Sequence, residues 1–218
     1  MQIIKKRRSI RSFKSDPVPE DALEKILDSA RWAPSSANSQ PWDIVVVKEQ
    51  AKKEQIQKSV EKVIERIKEL RDFPFLKTFT AHYMLEAPVQ LVVVGDPRFK
   101  YVSMMHSVEP NVEQFAFWGS VSMAIQNMLL TAAALDLGSV VFTNFYPEEV
   151  KSLLNIPDRL QVVCILPVGY PNEEKEPPVR RSLNDFVHWG DFDSQKIRSD
   201  NLIEEAHKDP YGVQVKNY

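Results

Sequence analysis

Four short runs rich in β-branched residues limit the folds open to this chain: Ile44-Val45-Val46-Val47, Val89 to Val94, Ser139 to Thr143 and Val162 to Leu166. Apolar runs of this length, with little polar alternation, read as strands covered on both faces. They place strands at Asp43–Lys48, Pro88–Gly95, Ser139–Thr143 and Leu160–Gly169. The connections between them are long, and most carry helical spacing. Leu23, Ile26, Leu27 and Ala30 follow the start signal Asp16-Pro17-Val18-Pro19-Glu20-Asp21. Glu49 to Arg71 carries the stripe Ile56, Val60, Val63, Ile64, Ile67 and Leu70 on a Lys- and Glu-rich background. It reads as a surface helix packed by one face, with a coiled coil as the lesser alternative. Val112 to Leu137 is apolar nearly all round, as a helix buried in a core or at a subunit interface would be, with Gly138 as its stop. Pro147 opens a short helix with Glu148 and Glu149 in its first turn. Strands joined this way predict a mixed or mainly parallel sheet in one domain, with helices on both faces.

Two segments stand apart from this scaffold. Lys5-Lys6-Arg7-Arg8-Ser9-Ile10-Arg11-Ser12-Phe13-Lys14 concentrates positive charge in a chain whose net charge is only -2. Guanidinium forks bind phosphate bidentately, and Ile10 and Phe13 would anchor the segment. The charge alone leaves three readings: an anion site inside the fold, a basic arm on nucleic acid, or a solvated terminus. Ala33-Pro34-Ser35-Ser36-Ala37-Asn38-Ser39-Gln40-Pro41-Trp42 is a proline-stiffened loop full of uncommitted hydrogen-bond groups. It suits a flat polar ligand, or serves as a helix-to-strand turn with Trp42 packed in the core. Two further stretches are aromatic or irregular. Asp72 to Ala87 reads as a packed connection or part of a substrate lid, and Asp96 to Asn111 as a long loop able to cover a pocket.

The remaining signals narrow the chemistry. The one cysteine, Cys164, excludes an intramolecular disulfide and points to a reducing compartment. The N-terminal residues lack the apolar run of a signal peptide, and the longest aliphatic stretch is too short to span a bilayer. A cytoplasmic protein without nucleic-acid or membrane partners is the expectation. Six glycines form neither a GxGxxG fingerprint nor a P-loop. His82, His106, His188 and His207 show no metal-ligand spacing, and no GxSxG elbow is present. A scaffold without its own reactive group points to a cofactor.

Three segments, taken in order, resemble the nitroreductase family of flavin enzymes. They are Arg7 to Phe13 with Pro17-Val18-Pro19, the Ala33 to Trp42 loop, and Leu166-Pro167-Val168-Gly169-Tyr170-Pro171 leading to Arg180-Arg181-Ser182-Leu183. Leu135-Asp136-Leu137-Gly138-Ser139 fits as well. The resemblance implies an α+β protein, a three-layer α/β/α sandwich with a mixed central sheet, acting as a homodimer with FMN at the subunit interface. It implies an FMN-binding domain over 1–190 and a C-terminal extension over 191–218 that packs on the partner. Arg7, Arg8, Ser9 and Arg11 would hold the phosphate, ribityl chain and pyrimidine edge. Pro34, Ser35, Ser36, Asn38 and Gln40 would close the site from the other subunit. Phe142, Thr143 and Asn144 would face the ring, and Arg180, with Arg181, would reach the phosphate. The implied reaction is ping-pong: NAD(P)H reduces FMN, which then reduces a nitroaromatic, quinone or similar acceptor. No side chain is assigned as catalytic. A flavin-holding or regulatory protein without turnover is the alternative. Asp72 to Ala87 lacks the Glu, Tyr and Lys arrangement of the iodotyrosine deiodinase branch, so dehalogenation is not expected.

Overall fold

The computed structural model describes residues 2–71, 79–102, 114–199, 201 and 204. Its contacts divide the chain into two compact units, residues 1–65 with 80–175 and residues 66–79 with 176–218. The first holds the sheet. Strand β1 (Trp42–Val47), β2 (Val89–Gly95), β3 (Gly138–Ser139) and β4 (Gln161–Gly169) lie in the order β1-β2-β4-β3. All three pairings are antiparallel. Among the described residues, the mixed character expected from the long connections is confined to an isolated parallel bridge between Ser9 and Ser139. Connection length does not fix strand sense, because a further pass along the sheet after a crossover restores the antiparallel direction.

Strand β2 is buried along its whole length, which accounts for its unbroken valine-rich run. Strand β1 occupies the sheet edge, and there Ile44, Val45 and Val46 are only half-buried rather than enclosed. One face of the sheet carries Val89, Leu91, Val93, Cys164, Leu166 and Val168. Against it pack helix α2 (Glu20–Arg31), through Leu23, Ile26 and Ala30, and helix α5 (Ser120–Ala134), through Val121, Ala124 and Met128. Ile26 is 1% exposed, a burial worth about 2 kcal/mol. Gln90, on the opposite face, donates from Nε2 to Met84 O at 2.7 Å, which brings the short helix α4 (Tyr83–Glu86) over that side. Helix α3 (Gln50–Leu70) buries Ile56, Val60 and Ile64, and Lys53 Nζ reaches Ala87 O at 3.0 Å. Leu70, part of the expected stripe, is exposed.

The long apolar helix is two elements. A π-helical turn over Phe115–Gly119 leads into α5. Gly138 is not its stop. Leu135 N–H bonds back to Thr131 and Ala132, Asp136 turns left-handed at φ 57°, and Leu137 N–H reaches Ala132 O. Gly138 instead allows a close approach: a Cβ there would lie 2.8 Å from the Ile10 side chain. Helix α1 (Gln2–Lys6) leads into the basic arm, and α6 (Pro147–Leu154) follows Tyr146. In the second unit, Ser182 and Asp185 form a reciprocal cap, and His188 stacks on Phe192 with ring centres 4.2 Å apart. Residues 72–78 of the expected lid, 103–113 of the loop and helix start, and most of the C-terminal extension lie outside the described residues. Among the described residues no helix is long and apolar enough to cross a membrane.

Candidate functional site

The basic arm is built into the fold. Ile10 and Phe13 are buried, at 6% and 5% exposure, so the apolar residues that interrupt the charge run do anchor it. The backbone of each residue from Ser9 to Lys14 makes at least one hydrogen bond. Ile10 N–H donates to Ser139 O at 3.2 Å, and Lys14 N–H to Tyr170 O at 2.9 Å. Asn172 N–H donates to Ser12 O at 3.0 Å. Arg11 N–H donates to Glu173 Oε1, and Phe13 N–H to Glu86 Oε2 at 3.2 Å. Lys175 Nζ donates to Ser9 O at 3.2 Å and pairs with Glu173 at 2.9 Å.

The arginines of the arm have different tasks. Arg8 is largely structural: Nε donates to Lys175 O at 3.1 Å, and Nη1 donates to the carbonyls of Lys5, Lys6 and Arg7. Arg7 is half-buried. Arg11 is exposed, and its guanidinium makes no hydrogen bond or ion pair among the described residues. Lys6 pairs with Asp136 at the end of α5. Ser9 is half-buried beside Ser139, whose buried Oγ has no hydrogen-bond partner among the described residues.

The proline loop is held by different contacts. Ser120, at the start of α5, accepts Ser36 N–H at 3.2 Å and donates to Ala116 O at 2.6 Å. Ser35 Oγ accepts Gln40 N–H at 3.0 Å, and Gln40 Nε2 reaches Asn38 Oδ1 at 3.2 Å. Ala37, Asn38 and Gln40 all have positive φ, at 52°, 54° and 45°. Such non-glycine conformations store strain and concentrate at ligand clamps. Pro34, Asn38 and Gln40 are exposed, and Ser35 and Ser36 half-buried. Trp42 packs against the core, as the turn reading had it. Asp96 N–H donates to Pro41 O at 3.0 Å where β1 begins, and the Arg98 guanidinium holds the Asp96 carboxyl below the usual range.

One chain does not bring loop and arm together. The loop is tied to Ser120 and the arm to Asp136, Gly138 and Ser139, at opposite ends of α5. That helix has 15 residues, about 22 Å at 1.5 Å per residue. Phe142 is buried: its ring meets Tyr83 edge-on at 6.1 Å, and its peptide pairs with Ile165. Thr143 and Asn144, just past that bridge, are exposed. Arg180 and Arg181 belong to the second unit. With Arg198, Val179, Leu183 and Phe186 they line a cleft of about 580 Å³, and the Arg181 guanidinium lies 5.6 Å from the Phe186 ring centre.

Sequence reading gave no site role to Glu173, Lys175, Glu86 or Ser139. Their partners lie far off in the chain, and Tyr170 to Pro178 shows only polarity and prolines. The arrangement offers two kinds of recognition. The arm presents fixed positive charge, and the loop presents short polar groups on a stiff backbone. Cys164 takes no part, since burial pushes its thiol up to about 12. No group of acids, histidines and cysteines among the described residues is placed to hold a metal ion.

Comparison with known proteins follows the same outline. A family model described as Nitroreductase family matches residues 4–170. A Thermus thermophilus protein named NADH dehydrogenase is 32% identical over 207 residues, covering 84% of this chain and 92% of its own. An iodotyrosine deiodinase of Thermotoga neapolitana is 34% identical over 181 residues, covering 79% of this chain and 89% of its own. Among solved structures, an oxidized iodotyrosine deiodinase bound to FMN and 3-iodo-L-tyrosine has a TM-score of 0.74 at 30% identity, covering 88% of this chain and 98% of that one.

Proposed function

The chain belongs to the nitroreductase family, and from that premise we propose that it is an FMN-dependent NAD(P)H oxidoreductase of the cytoplasm. Its acceptor is a nitroaromatic, a quinone or a similar small molecule. The observation that carries the reading is Arg11: an exposed guanidinium, without a partner among the described residues, on a backbone fixed by hydrogen bonds. A cation held this way meets an anion without reorganisation.

The residues present fit FMN. Arg7, Arg8, Ser9 and Arg11 supply positive charge and donors for a dianionic phosphate, the ribityl chain and the pyrimidine edge. Arg8 contributes mainly by shape, since most of its donors are already used within the arm. Arg180 and Arg181 add charge for the phosphate. Thr143 and Asn144 would meet the ring, next to Phe142, which is buried and bridged to Ile165. When bound, FMN supplies the two-electron chemistry, taking a pair from the reduced nicotinamide and giving it to the acceptor. The guanidinium of Arg11 favours negative charge near it, and the loop orients and shields the ligand from water.

The separation of arm and loop along α5 supports a homodimer. Pro34, Ser35, Ser36, Asn38 and Gln40 of a second copy complete each site.

A second reading, reductive dehalogenation of a halogenated aromatic, is favoured by the deiodinase relatives at comparable identity. Holding FMN without turnover is the third. The test is acceptor turnover: the protein is incubated anaerobically with NADH or NADPH and with a nitrobenzoate, a benzoquinone or 3-iodotyrosine. Reduction of the first two supports the leading reading. Release of iodide alone supports the second, and no product from any supports the third.

A further inference from the structure

We propose that Glu173 and Lys175 are positioning residues for the cofactor site, a charge-neutral clamp that aims Arg11. The inference rests on Arg11 being a ligand of the FMN, as read above. Glu173 Oε1 takes the Arg11 peptide N–H and, on the same oxygen, the Lys175 ammonium at 2.9 Å. Lys175 returns to the arm twice, through Nζ to Ser9 O at 3.2 Å and through its own carbonyl to Arg8 Nε at 3.1 Å. Two residues therefore fix three of the four arm positions assigned to the ligand.

The two side chains are partly buried, at 25% exposure for Glu173 and 31% for Lys175, so their interaction is screened less than that of a surface pair. Neighbouring contacts complete the restraint. Ser139 O takes the N–H of Ile10, and Glu86 takes that of Phe13. With its own N–H and those of Ile10 and Phe13 committed, the backbone that carries the Arg11 side chain is fixed.

Charge considerations give the clamp a distinctive sign. A carboxylate beside an anion-binding arm opposes the anion by Coulomb repulsion. Lys175 neutralises it where it stands. If Glu173 acted only as a charge, removing it would tighten FMN binding. As a positioning residue, its removal weakens binding instead.

The test measures FMN dissociation constants by fluorescence titration of the apoprotein, in a double-mutant cycle of Glu173→Ala and Arg11→Ala. Thermal unfolding of each apoprotein runs in parallel. Glu173→Ala is expected to weaken FMN about tenfold in the native background and less than about twofold when Arg11 is already alanine. Glu173→Gln keeps an acceptor for the Arg11 N–H and is expected to restore most of the affinity. Lys175→Met, a second route should Glu173→Ala fold poorly, is expected to weaken FMN in the same Arg11-dependent way. Equal losses in both backgrounds, or tighter binding by Glu173→Ala, would overturn the clamp. Weakening by Arg11→Ala with none by Glu173→Ala would overturn the clamp alone. No weakening by Arg11→Ala would overturn both the clamp and the ligand assignment beneath it.

Discussion

Arg11 joins a fixed peptide to a side chain with no partner in the described protein, and it is the residue on which the ligand reading turns. A charge-assisted contact to phosphate or to the flavin edge is worth about 1.5–3 kcal/mol. Arg11→Ala should therefore weaken FMN binding by about 10- to 100-fold, read as flavin released during gel filtration and as a shifted titration. Cys164 behaves oppositely: fully buried, and pushed from an ordinary 9.0 up to about 12 by burial alone. Between those values the unfolded chain loses the thiol proton and the folded one keeps it. The cysteine's contribution is thus fully present below pH 9 and declines as pH rises toward 12. Urea unfolding from pH 8 to 10.5 should show a loss about 2 kcal/mol smaller in Cys164→Ala than in the native chain. Sequence reading identified the arm as a cluster of cations, because residue type carries that fact. It did not separate Arg8 from Arg11, since that difference depends on which distant carbonyls and carboxylates come within reach.

At the scale of elements, the loop from Pro34 to Trp42 was visible as a stiff polar segment, but its three left-handed residues were not. Alanine pays no attention to turn signals, and nothing in the composition marks Ala37 as left-handed. That conformation costs an L-residue about 1–2 kcal/mol. Ala37→Gly relieves it at about 0.4–1 kcal/mol of added unfolded-state entropy. Urea unfolding of the FMN-free variant should show a net gain of about 0.5–1 kcal/mol, and a loss would mean that the loop is not strained there. The strands were legible for a similar local reason: β-branched runs mark them to within a residue or two in β1, β2 and β4. Strand sense was not, because it depends on how the connections travel. The end of α5 shows the same limit. Glycine was the expected stop, yet Asp136 makes the left-handed turn and Gly138 is kept small by the Ile10 side chain against it.

At the scale of the whole molecule, the account depends on two copies. Arm and loop stand at opposite ends of α5, so a single chain presents one kind of recognition at each end. Exposed Trp32, Phe115 and Trp118 add apolar surface suited to burial against a partner. Sedimentation equilibrium should give about twice the 25.1 kDa chain mass, with FMN bound in a ratio of about one per chain. A monomer with full flavin occupancy would remove the loop from the site. The family was readable from sequence because its motifs are contiguous; how far apart one chain holds the arm and the loop needed the helix between them. The central claim is that this chain holds FMN where a reduced nicotinamide reaches it. The most direct measurement is the absorbance spectrum of the FMN-loaded protein, recorded anaerobically before and after NADH or NADPH is added. The account predicts a yellow protein whose flavin band bleaches; a protein that stays colourless with added FMN, or a bound flavin untouched by either nicotinamide, would contradict it.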